Sequence, residues 1–412
     1  MNEILPSDYM TSPEYAADPY TPNAELRAKC PVHRIDFPPG AESFLVVDYE
    51  QVRAGFTDPR LSKRLDNGPA WFHQRMLENS PVLAYSMVTC DPPEQTRLRR
   101  LVSKTLTNQR MEALRPQIQK LTDDLIDAFP ESGEVDMRGD FAVPLPLTVI
   151  CELIGVPLED RPQFREWAFV LNQSAFVDGE IARRRKAASA AVQEYFDRMM
   201  ALRRADPRDD LITGIVQAAD ANGTFTNEEL VSTLIFLLIA GHETTSNLIG
   251  NGILGLLRNP DQLALLRSDP TLMRSAIEEF LRYEGPVERG TPRFATEDMT
   301  VAGTEIPKGS FLLLSVGAAD RDPAEFEDPD RLDIIRSPNR HMGFGHGAHF
   351  CLGAPLARIE GEIAFETLLR RVPSMELAVA PEELKWMVDT SINHGLEELP
   401  VRIEGRRARG ER

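Results

Sequence analysis

The stretch from Asn227 to Arg258 constrains the fold more than any other part of the chain. Its apolar residues recur at helical spacing, Glu228 and Glu229 sit where a first turn favours acid, and Asn259-Pro260 stops it. Asn227 is the expected N-cap. About 30 residues at 1.5 Å each span roughly 45 Å, so the helix must cross the whole domain. Val231 to Ala240 is nearly all apolar, and Gly241-His242-Glu243-Thr244-Thr245 follows directly. A carboxylate in the middle of a buried helix is costly unless it is paired or functional. Gly241 weakens the helix by roughly 1 kcal/mol relative to alanine, and Thr244 can bond back to a carbonyl one turn earlier. Together they predict a local opening of the hydrogen-bond ladder. The pattern alone leaves two readings: a helix end or solvent-facing stripe, or a groove for a small ligand beside a proton source.

The remaining patterns are mostly helical. Thr96 to Leu106, Met111 to Ala128, Ala182 to Arg204 and Thr271 to Tyr283 show apolar spacing of three and four. Phe44-Leu45-Val46-Val47 reads as a strand and Pro292 to Ser315 as strand-rich. Asn222-Gly223 marks a turn, and Asp320 to Pro338 is irregular. No linker, repeat or composition break divides the 412 residues. One mainly α domain with a smaller β region is therefore expected over 1–412, with a short flexible tail at about 405–412. The net charge of −18 argues against nucleic acid as a partner. Cys30, Cys90, Cys151 and Cys351 are widely spaced, which fits a reducing, cytoplasmic compartment. No apolar run is long enough to span a membrane, and the N-terminal residues have no signal-peptide pattern.

Near the C-terminus stands Phe344-Gly345-His346-Gly347-Ala348-His349-Phe350-Cys351-Leu352-Gly353, followed by a helix-like stretch from Ala354 to Leu369. Glycines let the backbone turn tightly and approach a flat ligand. A thiolate is stabilised by the N–H groups and the dipole at a helix start. Three readings stay open on these residues alone. Cys351 is a thiolate ligand of haem iron, a small buried hydrophobe, or a zinc-binding or catalytic cysteine with His346 and His349 nearby.

Phe344-Gly345-x-Gly347-x-His349-x-Cys351-x-Gly353 resembles the haem-binding signature of the cytochrome P450 family. Ala240-Gly241-x-Glu243-Thr244 is similar to that family's oxygen-activation motif. The resemblance covers nearly the whole chain and implies a helix-rich, triangular single domain around a long central helix. It implies haem b held through Cys351, with Phe344, Gly345, Ala240 and Gly241 against it and with Thr244 and Glu243 relaying protons. Asp91-Pro92-Pro93-Glu94-Gln95-Thr96-Arg97-Leu98-Arg99 resembles the start of the family's C helix. Arg99, Arg293 and His349 match propionate partners; Gln95 stands where many members have histidine, and its amide can still donate. Glu279-x-x-Arg282 resembles the family's Glu-x-x-Arg element, with Arg336 as its third partner in a structural charge network. Leu332 stands where phenylalanine is more usual.

Arg282-Tyr283-Glu284-Gly285-Pro286-Val287-Glu288 looks most like soluble bacterial members, in particular actinobacterial enzymes that tailor macrolides and other secondary metabolites. The implied activity is a monooxygenase that inserts one atom of O2 into a C–H bond of a mostly apolar small molecule. Epoxidation, ring or bond formation and xenobiotic or steroid hydroxylation are alternatives, and a non-catalytic haem sensor is disfavoured by the intact Glu243-Thr244 pair. Electrons are expected from NAD(P)H through a reductase and a ferredoxin or flavodoxin, docking on Arg99, Arg100, Arg340 and Arg358, and the enzyme is expected to be monomeric. Expected substrate segments are Pro69–Val88, Phe169–Arg185, Leu237–Thr245, Val287–Thr291 and Ser391–His394. Met87, Val88, Ile239, Ala240, Val287 and Ile392 are the apolar contacts, and Glu288, Arg289 and His394 the polar ones, as for an amino sugar.

Overall fold

In the computed structural model, residues 4–174, 179–223, 225–388 and 392–411 are described. The central helix runs unbroken from Asn227 to Arg258. Its N-cap is Thr226, not Asn227. The Thr226 hydroxyl accepts from the Glu229 N–H at 3.2 Å, while a Glu229 carboxylate oxygen accepts from the Thr226 N–H at 3.0 Å. This capping box satisfies two orphan donors at once, which a single asparagine does not. The expected opening at Gly241 is not a break in the helix. Thr244 does bond back, its hydroxyl donating to the Ala240 carbonyl at 2.8 Å. Gly241 has a different reason: a Cβ there would meet Ile150 Cδ1 at 2.9 Å. The helix Pro144–Ile154 crosses the central helix at this point, and glycine permits the close approach.

Other helices pack around this axis, and the largest apolar cluster gathers side chains from them. Glu180–Ala205, Met273–Tyr283 and Ala354–Arg371 fall where apolar periodicity places them. The stretch expected as one helix, Met111 to Ala128, is two: Asn108–Ala113 and Arg115–Asp127. Pro116 supplies no N–H to a preceding turn and is tolerated only in a first turn, so a helix restarts there.

A five-stranded sheet flanks the helices. Its strands lie in the order Val32–Asp36, Glu42–Val46, Phe311–Leu314, Arg293–Ala295, Leu61–Ser62. Phe44 pairs with Leu312 in parallel, and Arg293 pairs with Leu312 across the antiparallel neighbour. This register carries Arg293 inward, where it is buried. A second sheet joins Gly133–Asp136, Pro400–Glu404 and Ser374–Leu377. Beyond it, the C-terminal residues lie against the body: the Arg407 N–H donates to the Arg371 carbonyl at 2.8 Å and Arg409 pairs with Asp127 at 2.6 Å. Of the expected flexible tail, position 412 lies outside the described residues. Among the described residues, no helix is long and apolar enough to cross a membrane.

Candidate active site

The loop before the helix Ala354–Arg371 is folded by its glycines. Gly345 and Gly347 have φ of +70° and +73°, a region costly for other residues. The turn lets the Cys351 N–H donate to the Phe344 carbonyl at 2.9 Å. Cys351 is thereby presented at the start of a helix whose first turn contains Pro355. The sulfur is accessible because it faces a cavity, while the protein around it removes it from bulk water. That burial pushes the thiol up; the N–H groups of Gly353 and Ala354 and the charges of Arg99 and Arg358 act in the opposite direction. A metal cation at the sulfur would complete the stabilisation of a thiolate.

The opposite wall of the same cavity comes from the central helix. Leu237, Ala240, Gly241, Thr244, Thr245 and Leu248 line it. They follow the three-and-four spacing of one helical face. Met87, Val88, Val287 and Ile392 complete an apolar region, joined by Phe236. Phe344, Gly345, His349 and Cys351 close the other side. Phe344 is itself fixed by Arg358, whose guanidinium lies 4.5 Å from the ring centroid and makes a bidentate pair with Glu278 at 2.6 and 2.8 Å. Glycine and phenylalanine thus stand on the same side as the thiol, with a hydroxyl across the gap.

At one edge of the cavity the charges are unbalanced. Arg99, Arg293 and His349 line it with Gln95. Arg293 is buried, and its Nε has no partner among the described residues. Burial pushes its guanidinium down to about 10, with Asp91 as the opposing influence. His349 is driven to about 3 by burial and by the charges of Lys63, Arg293 and Arg99. A group with a flat apolar body, one axial thiolate bond and two carboxylates at one edge matches this lining. Haem fits these residues: Cys351 could ligate the iron, and Arg99, Arg293 and His349 could meet the propionates. Gln95 is turned away from that duty in part, since its amide donates to the Ala348 carbonyl at 2.8 Å.

Several expected contacts lie elsewhere. Ile239 is off the cavity face, because it lies about 200° around the helix from Leu237, on the side away from the cavity, and it packs against the core. Glu288 does not reach the cavity. It is buried beside Arg289 at 3.0 Å and accepts from Tyr15 and Ser315 at 3.0 and 2.7 Å. His394 stacks on Trp386 at 4.3 Å and meets Glu284 at 2.7 Å. Both side chains are engaged by partners behind the wall, and neither lines the cavity. Glu243 is likewise beside the cavity, not on it, and its carboxylate pairs with Arg138 at 2.9 Å. Ser391 and positions 175–178 of the expected substrate segments lie outside the described residues.

Glu279, Arg282 and Arg336 do come together. Arg282 donates two bonds of 2.8 Å to the Glu279 carboxylate, and Arg336 stands 3.2 Å from it. Arg282 also binds the Asp320, Pro329 and Arg331 carbonyls. The network pins the irregular segment that leads to the cysteine loop. Sequence reasoning missed Lys63, Arg138 and Glu360. Glu360 lines the cavity with an oxygen that has no partner among the described residues, and burial holds its carboxyl well above the usual range. No pattern described above marks Glu360, Arg138 or Lys63.

Comparison with known proteins agrees with this geometry. Residues 159–391 match the cytochrome P450 family. The chain is 44% identical to Cytochrome P450 107B1 of Saccharopolyspora erythraea, covering 94% of this chain and 96% of that one. It is also 44% identical to the cytochrome P450 monooxygenase PikC of Streptomyces venezuelae, covering 97% and 94%. Among solved structures, the cytochrome P450 enzyme CxnD, for C–S bond formation in chuangxinmycin biosynthesis, superposes with a TM-score of 0.95. It is 48% identical and 99% of each chain is covered. With a thiol on one wall of the cavity, cations at its edge and relatives matched along nearly their whole length, the chain belongs to the cytochrome P450 family and is a haem monooxygenase.

Proposed function

We propose that this enzyme hydroxylates a medium-sized or large, mostly apolar small molecule in secondary-metabolite biosynthesis, of macrolide or polyketide type. The observation that carries the reading is a single cavity with Cys351 on one wall and Thr244 on the other, closed by Met87, Val88, Val287 and Ile392. Haem, held by Cys351, supplies the activation of O2, and the thiolate supplies the electron push. Arg99, Arg293 and His349 orient it through its carboxylates. The Thr244 hydroxyl donates to the Ala240 carbonyl one turn earlier and presents its acceptor lone pairs to the cavity. Glu243, paired with Arg138, stands directly behind Thr244 and is the acid–base group that relays protons toward it. The apolar walls exclude bulk water and so limit proton leakage.

Electrons come from NAD(P)H through a separate reductase and a ferredoxin or flavodoxin. Of the four arginines expected to form a docking patch, Arg358 is neutralised by Glu278 and Arg340 by Glu325. Arg99 faces the cavity. Arg100 and Lys104 remain on an open groove with Pro92 and Pro93, the better site for an acidic partner. The enzyme works as a single domain over 1–412, monomeric and in the cytoplasm.

The reduced, CO-treated protein is expected to absorb at the thiolate-haem position, and Cys351→Ala to abolish that band. Thr244→Ala is expected to keep the band while product formed per NAD(P)H falls roughly tenfold or more. A colourless wild-type protein overturns the reading. The high similarity to CxnD favours a second reading, oxidative C–S bond formation. Turnover under 18O2 separates them: hydroxylation leaves label in the product, and C–S coupling leaves none.

A further inference from the structure

Lys63 belongs to no motif, yet it is buried beside the cofactor edge of the cavity. Its backbone N–H donates to an Asp91 oxygen at 2.8 Å, and the Ser62 hydroxyl donates to the other oxygen. Asp91 is therefore held by main chain and serine. The Lys63 ammonium turns elsewhere, donating to the Thr291 carbonyl at 3.2 Å and to the Thr291 hydroxyl. Thr291 is part of the cavity wall, two residues from Arg293. The Lys63 ammonium thus stands one residue behind the wall, on the same edge as Arg99 and Arg293.

Counting charge at this edge gives an imbalance. Lys63, Arg99 and Arg293 are the basic groups here, and burial and the Arg293 charge push the Lys63 ammonium well below its ordinary value, with Asp91 opposing. Asp91 is the one carboxylate among the described residues that acts on both Lys63 and Arg293. With all three protonated, two positive charges would be left over, and buried charge without a partner is strongly unfavourable. A dianionic edge entering the cavity removes the imbalance. Gln95, on the same wall, is neutral and bonded to Ala348.

We propose that Lys63 is a cofactor-binding cation, acting through and beside Thr291 to supply, with Arg99 and Arg293, the positive charge that holds the two carboxylates of the haem, a charge that neutral Gln95 does not provide. The inference rests on the haem reading given above. Its test compares wild type with Lys63→Gln, which keeps a donor for Thr291 and removes the charge, and with Lys63→Met, which removes both. Haem transfer to excess apomyoglobin and the haem midpoint potential are the readouts. Both variants are expected to lose haem about tenfold faster than wild type, with a more negative potential. Adding Gln95→His is expected to restore retention to within about twofold in the Lys63→Gln background, and to gain less in wild type. Wild-type retention by Lys63→Gln overturns the proposal, as does loss confined to Lys63→Met or an equal gain from Gln95→His in both backgrounds. The reduced-CO band of the wild type is recorded first. Its absence sinks the haem reading, whereas a normal band with unaltered retention in Lys63→Gln sinks this inference alone.

Discussion

Glu279 shows why a residue's role depends on more than its spacing. Three residues from Arg282, it has the spacing of an ordinary surface pair, yet both side chains are fully buried. Removing one partner leaves an uncompensated guanidinium. Glu279→Gln is expected to cost about 3–5 kcal/mol, read as a fall in the denaturant midpoint. Glu288 and His394 show the reverse. Their polarity suggested a charged ligand, but Tyr15, Ser315 and Arg289 claim the first, and Glu284 with Trp386 claims the second. Side-chain chemistry was legible in the sequence; which way each chain pointed was not, because the competing partners are up to 273 residues away.

At the scale of elements, the central helix was readable almost to the residue, since its start, stop and periodicity are local. The reason for its glycine was not. Gly241 answers to Ile150 on a crossing helix, a contact between residues 91 positions apart (241 minus 150). Gly241→Ala gains up to about 1 kcal/mol of helix propensity and loses about 1–3 kcal/mol to overpacking. A net fall in melting temperature is expected, and Gly241→Ala with Ile150→Val should recover most of it, because the shorter side chain removes the Cδ1 methyl. Equal destabilisation in single and double variants would show that the crossing contact is not the cause. The break between Asn108–Ala113 and Arg115–Asp127 was legible in Pro116 and was masked by the apolar spacing that runs through it.

At the scale of the molecule, acidity is the dominant electrostatic fact, with a net charge of −18. An exposed basic groove at Arg100 therefore stands out for an acidic partner. Arg100→Glu is expected to raise the ferredoxin concentration for half-maximal turnover several-fold at low salt, with the difference shrinking as salt is added. Burial of Asp320 gives a pH dependence to the whole fold. Its carboxyl is raised to about 7 by burial, against 3.8 when unfolded. Between those values the native state holds a proton that the unfolded chain releases, so this group's contribution to stability falls as pH rises. Asp320→Asn keeps an acceptor for the Met342 N–H and removes that slope. Its melting temperature relative to wild type is expected to rise between about pH 5 and about pH 8; a constant difference would count against the shift. The sequence by itself determined the local devices: the long helix, the glycine-bent loop at Cys351, the Glu243-Thr244 interruption and the helix-rich class, because each depends on neighbours within a few turns. Only the tertiary structure decided that Cys351 and Thr244 face one cavity, that Glu243 leans on Arg138, and that the Lys63 ammonium reaches Thr291 on the cavity wall. Those relations join residues more than a hundred positions apart, and packing alone brings them within bonding or Coulombic reach.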